Sequence, residues 1–156
     1  MSTQSGGPAV DEAVRTLLLL MPRLVGRAKR LPVPSALRGL DLAPRHLALL
    51  AHLEYDGPAS VNELAARLEV APTTVSLMVG ELSQPGVLER TADPADRRRR
   101  IVAIAPAYTA AIKEWLSGSA SAWESVMRGL APADRATVIT ALRDYEDALE
   151  RTARAT

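Results

Sequence analysis

The sequence predicts a mainly α-helical fold with one small β-hairpin, on three observations. Apolar residues recur at helical spacing over most of the chain. Two short β-like runs, Val87 to Thr91 and Ile101 to Ile104, flank a single charged loop. Phe is absent while Leu and Ala abound, so the core must rest on aliphatic side chains, which suit helices better than sheets. A chain of 156 residues is long enough to bury its own core, as one domain or as one domain with an oligomerising extension.

The elements follow in order. From Val10 to about Arg30, Val14, Leu17, Leu18, Met21, Leu24, Val25 and Ala28 form a helical stripe, which Pro22 is expected to kink or split. The two prolines between Leu31 and Pro34 end it. A second helix is expected from Pro44 to Tyr55, with Leu47, Leu50 and Leu53 on one stripe, and Asp56-Gly57-Pro58 breaks it. Ser60-Val61-Asn62-Glu63 reads as a capping box, in which hydroxyl and carboxylate satisfy the free amides of a helix start. That helix continues through Leu64, Ala65 and Leu68. After the short Glu69-Val70-Ala71 connection, Pro72 takes a typical first-turn position. The helix it opens runs to about Ser83, with Val75, Met78, Val79 and Leu82 turned inward, and Pro85-Gly86 stops it.

The two β-like runs then make a long hairpin with a polar loop. Pro106 opens a fifth helix carrying Tyr108, Ile112, Trp115, Leu116 and Trp123, which Gly118 threatens to interrupt. A last helix spans about Pro132 to Arg151, with Val138, Leu142, Tyr145 and Leu149 on one face. The flanking helices carry more apolar surface than one small unit can cover, which points to pairing with a second copy.

Composition excludes several classes. With no Cys, there are no disulfides, thiolate metal sites or cysteine nucleophiles. His46 and His52 are the only histidines and, six residues apart on a helix, point in different directions, so no metal or other cofactor is expected. No Gly-rich phosphate loop and no nucleophile at a strained turn is present, so the chain is not expected to be an enzyme. The first seven residues lack the build of a signal peptide, and the run Leu17 to Met21 is far too short to span a membrane. A soluble, cytoplasmic protein without membrane partners is expected.

The net charge of +1 is uninformative, but its distribution is not, because four arginines stand in a row at 97–100. A helix-turn-helix followed by a β-hairpin is a known way to read DNA, with the second helix in the major groove. At its start, Pro72, Thr73, Thr74, Ser76 and Leu77 lie away from Val75 and Met78. The hydroxyls suit phosphates or base edges, and Leu77 or a Thr methyl suits a thymine methyl. Arg97, Arg98 and Arg99 at the hairpin tip suit a narrow minor groove, strand alternation sending successive arginines to opposite sides. Asp96 is expected to hold one of them by a bidentate pair rather than touch DNA.

These segments resemble the MarR family (multiple antibiotic resistance regulators). The resemblance runs through Leu64-Ala65-Ala66-Arg67-Leu68, Thr74-Val75-Ser76 and Gly86-Val87-Leu88-Glu89-Arg90. It is strongest at Asp93-Pro94-Ala95-Asp96-Arg97-Arg98, where Asp96 and Arg98 fill a D-x-R signature, and continues through Ile101 to Pro106. It implies a winged helix-turn-helix flanked by N- and C-terminal dimerisation helices. The expected organisation is a disordered terminus at 1–8, a dimerisation helix and connector at 9–42, a DNA-binding domain at 43–105, and dimerisation helices at 106–156.

The implied function is a homodimeric transcription regulator, more simply a repressor, on double-stranded, pseudo-palindromic operator DNA. The resemblance further implies release by a small aromatic or lipophilic effector near Met21, Arg23, His46, Tyr108 and Trp115. Departures fall at Leu77, where many members have Arg, at Ala71 and Ala105, where Ser and Thr are usual, and at Pro85. The competing reading is a winged helix that binds protein instead of DNA, favoured by Leu77 and the near-neutral charge of residues 61–100.

Overall fold

The computed structural model describes residues 7–155. Most of the terminus expected to be disordered therefore lies outside the described residues. The order is α1 (Val10–Ala28), a 3₁₀ turn (Ser35–Leu37), α2 (Pro44–Asp56), α3 (Val61–Leu68), α4 (Pro72–Ser83), β1 (Leu88–Ala92), β2 (Arg100–Ile104), α5 (Pro106–Arg128) and α6 (Pro132–Arg154). Two compact units divide inside α5, the first ending at Gly118 and the second beginning at Ser119.

The first unit is built on a core of Leu49, Leu50 and Leu53 from α2, Leu64 and Ala65 from α3, and Val75, Met78, Val79 and Leu82 from α4. Val87, Leu88 and Val102 close it from the hairpin, and Leu37 from the 3₁₀ turn. Ile112 and Leu116 of α5 belong to the same core, with Tyr108 and Trp115 packed against it. The first compact unit thus extends past 105 into α5. The first three turns of α5 contribute to this core because Ile112 and Leu116 stand one helical turn apart on a single face.

Local chemistry sets each start and stop. At α3, Ser60 Oγ accepts from the Glu63 amide at 3.3 Å, and the Glu63 carboxylate accepts from the Ser60 amide at 2.8 Å. This is the reciprocal capping box that the spacing predicts. Helix α3 ends at Glu69, which takes the left-handed conformation (φ 55°) and turns the chain into α4. Ala71 caps α4 without any side-chain bond. Gly86 (φ +83°) makes the turn into the wing, a geometry that glycine adopts at little cost.

Several expected elements change in detail. Helix α1 runs unbroken through Pro22. Its flanks are exposed, so the carbonyl that proline leaves unbonded can face solvent. Helix α5 likewise continues through Gly118, a position whose cost is only about 1 kcal/mol in a helix of 23 residues. On α2 the buried stripe is His46, Leu49, Leu50 and Leu53, with Leu47 at its margin. The strands pair antiparallel from Leu88↔Ile104 to Ala92↔Arg100. Arg100 thus joins a strand, which leaves 93–99 as the loop.

A third stretch of chain joins the hairpin. Ala59 and Val102 exchange backbone hydrogen bonds at 3.1 and 2.8 Å. The middle of β2 is thereby stitched to the residue just before the α3 cap.

Neither α1 nor α6 contains a buried residue. On α1, Val14, Leu17, Leu18, Leu24 and Val25 are exposed, and on α6 so are Ile139, Leu142, Tyr145 and Leu149. Among the described residues no helix is long and apolar enough to cross a membrane, and no three His, Cys, Asp or Glu side chains cluster to hold a metal ion.

Candidate nucleic-acid interface

Helix α4 has two faces. Val75, Met78, Val79 and Leu82 are buried, while Pro72, Thr73, Thr74, Ser76 and Leu77 are exposed, as the helical period requires. Leu77 is 63% exposed, a large apolar side chain standing in solvent beside three hydroxyls. The side chains expected to meet DNA from this helix are therefore presented together on one surface.

The wing loop is folded by its aspartates. Asp93 Oδ1 accepts from the Ala95 amide at 2.9 Å, and Asp96 Oδ1 accepts from the Arg98 amide at 3.0 Å. Each is an aspartate closing a turn on the backbone two residues on. The Asp93 amide donates to the Arg99 carbonyl at 2.9 Å, and the Arg99 amide to the Asp96 carbonyl at 2.9 Å.

Two expectations are corrected here. Among the described residues Asp96 makes no bidentate pair with an arginine; its carboxylate accepts from the backbone amide of Arg98 instead. Arg97, Arg98 and Arg99 lie in a turn rather than a strand, so strand alternation does not govern their directions.

The arginines divide by partner. Arg97, Arg98 and Arg100 are exposed and make no ion pair among the described residues. Arg99 is engaged on three sides. Its guanidinium pairs with Glu63 Oε2, lies with Nε 3.6 Å from Asp93 Oδ2, and donates to Ser60 Oγ at 3.3 Å. Arg99 was expected beside Arg97 and Arg98 as a DNA contact, and its carboxylate partners set it apart from them.

The Arg99 hydrogen bond, helped by the Ser60 amide and hydroxyl, draws the Glu63 carboxyl down from 4.5 to about 2. A carboxyl depressed on folding contributes stability that is complete above its unfolded value and is lost as pH falls through the folded one. The wing attachment should therefore be intact at neutral pH and released between pH 4.5 and about 2. An NMR titration of Glu63 with a midpoint at 4.5 would contradict this.

Around α2 lies a cleft near some of the residues expected to meet an effector. It measures about 660 Å³ and is lined by residues including Leu40, Asp41, Arg45, His46, Glu81 and Pro85. His46 is buried, and its Nδ1 accepts from the Ala43 amide at 3.1 Å, so Nε2–H donates to Glu81 at 2.7 Å. His46 and then Arg45 hold the Glu81 carboxyl below its usual range. The Tyr108 hydroxyl donates to the Pro85 carbonyl at 3.4 Å, at the margin of the cleft. Met21, Arg23 and Trp115 are not among its lining residues. Of the five residues expected near an effector, His46 alone lines this cleft, and Tyr108 touches only its Pro85 carbonyl.

Sequence reasoning missed the Arg99–Glu63 and His46–Glu81 pairs. Each joins residues about 35 positions apart, and no local spacing signals such a contact.

A helix-turn-helix whose second helix bears an exposed polar face, followed by a hairpin, defines the winged helix-turn-helix class. Residues 40–99 match the MarR family, and through this segment the chain is similar to MarR-family proteins. Over 68 residues it is 37% identical to the HTH-type transcriptional repressor MdtR of Bacillus subtilis, a match covering 42% of this chain and 44% of that repressor.

The fold likeness extends further. RV1404 from Mycobacterium tuberculosis superposes with a TM-score of 0.62 at 21% identity, covering 92% of this chain and 97% of that one. BpsR of Bordetella bronchiseptica, whose DNA binding is regulated by 6-hydroxynicotinic acid, gives 0.56 at 24%, covering 86% and 99%. At such identities the likeness is one of fold.

Proposed function

We propose that this protein is a sequence-specific DNA-binding transcription regulator that acts as a homodimer on a pseudo-palindromic operator, as a repressor. One observation carries the reading: the exposed Thr73, Thr74, Ser76 and Leu77 face stands in the same unit as a wing whose Arg97 and Arg98 have no carboxylate partner among the described residues. Unpaired guanidinium groups are available to phosphates and to the strongly negative minor groove. A two-fold pair of such units would meet half-sites about one helical turn apart. An operator-bound dimer blocks polymerase most simply, and the similarity to the repressor MdtR points the same way.

The test is Arg98→Ala. Operator affinity is expected to fall by about 1–3 kcal/mol, with the log–log salt slope reduced by about one, while the dimer stays intact. Unchanged affinity and slope in anisotropy titrations would remove Arg98 from the interface.

Release by a small aromatic or lipophilic acid is part of the same proposal, supported by the cleft beside His46 and by the regulation of BpsR. Glu81 reaches His46 from α4 itself, so a ligand that disturbs this pair would act directly on the helix that reads DNA. Salicylate is the probe. It should weaken DNA binding in the parent and have less effect in His46→Ala. Salicylate binding without any change in DNA affinity would sink the regulatory part.

A further inference from the structure

The wing has two kinds of arginine. Arg97 and Arg98 face solvent, whereas Arg99 turns back onto the α3 cap. A single oxygen, Glu63 Oε2, accepts from the Ser60 amide at 2.8 Å, from the Ser60 hydroxyl at 3.0 Å and from the Arg99 guanidinium. Arg99 also reaches Ser60 Oγ at 3.3 Å and lies 3.6 Å from Asp93 on the opposite arm of its own loop. The same side chain therefore joins the loop's two arms to each other and joins the loop to the start of the helix-turn-helix. The Ala59–Val102 bridge holds the middle of β2 to this point, and the Arg99 cluster holds the loop beyond it.

We infer that Arg99 is a positioning residue of the DNA-binding wing, which braces the loop against Glu63 and Asp93 so that Arg97 and Arg98 are held out toward DNA. This rests on the DNA-binding reading above and assigns Arg99 a different part in it from its neighbours. One cation between two carboxylates offers no net attraction to a phosphate, and reaching DNA would require Arg99 to leave both. The brace acts by pre-organisation, since a wing already held in its binding geometry loses less freedom on association. Glu63 serves twice, as the cap of α3 and as the anchor of the wing. A wing displaced from its position therefore disturbs the helix start, and the reverse also holds.

The experiment uses the full chain, a duplex from its own upstream region, and the variants Arg98→Ala, Arg99→Ala, Glu63→Gln and the last two combined. Glu63→Gln removes the charge that Arg99 pairs with and keeps an acceptor oxygen for the cap. Arg99→Ala should weaken DNA binding roughly two- to five-fold, the range that exposed ion pairs supply. Its log–log salt slope should equal that of the parent, whereas Arg98→Ala lowers the slope by about one. In the Glu63→Gln background, Arg99→Ala should change affinity by less than it does in the parent, because only the Asp93 and Ser60 contacts are then left to lose.

A second arm needs no DNA. In Arg99→Ala the amides of Asp93 and Arg99, which close the loop, should exchange with solvent faster than in the parent. A salt slope reduced as in Arg98→Ala would make Arg99 a phosphate contact and overturn the brace, as would full additivity with Glu63→Gln or unchanged amide exchange. If the parent bound no DNA, the function would fall while the exchange arm still decided the brace.

Discussion

A chain ending at Leu130 is expected to sediment as a monomer and to lose operator binding. The deletion removes α6, which buries none of its residues within the chain. Ile139, Leu142, Tyr145 and Leu149 recur every three or four residues along it and are 43–52% exposed, so they form one apolar stripe. A 23-residue helix of this kind gains little from propensity alone and takes its stability from packing that face. At roughly 25 cal/mol per Å² of apolar surface, covering such a stripe with a second copy is a strong drive to associate. Two half-sites then lose their shared partner, and each unit is left with the weaker affinity of one wing and one recognition helix. Sedimentation velocity and anisotropy on the truncated chain check the two parts. Retained dimerisation would move the interface to the exposed α1 stripe.

Leu50→Ala should cost about 2–5 kcal/mol of folding stability, a large share of the roughly 5–15 kcal/mol that holds a domain. Leu50 is 0% exposed and sits in the same core as Leu64, Val79 and Ile112, so the missing atoms leave a cavity that fixed neighbours fill poorly. Urea denaturation at equal protomer concentration reads this as a lower midpoint with the slope unchanged. Leu77→Ala is the counterpart: solvent-facing on α4, it should leave the midpoint within about 0.5 kcal/mol of the parent. The same type of substitution thereby separates the face of α4 that folds from the face proposed to read DNA. A midpoint unmoved by Leu50→Ala would place the core elsewhere.

Much of this arrangement was legible because its causes are local. The Ser60–Glu63 cap, the Pro72 helix start, the inward residues of α4 and the existence of the hairpin each follow from residues within one or two turns of chain. Neither Pro22 nor Gly118 splits its helix, because a single unfavourable residue costs less than a long helix gains. The wing loop was misread because strand alternation was extended into a segment where two aspartates fold the backbone into turns. Arg99 and His46 were the hardest. Their partners Glu63 and Glu81 come close only once the helices pack, and four identical arginines in a row give no local reason to single one out.

The measurement that bears most directly on the proposed function is a fluorescence-anisotropy titration of the full chain with its own upstream duplex at two salt concentrations, in excess competitor DNA. Tight binding that survives the competitor and weakens with a log–log slope of several phosphate contacts is predicted, at roughly 0.9 per contact. Absent binding, or binding that the competitor abolishes, would contradict it and favour a protein partner for the exposed α4 face, or an operator elsewhere in the genome.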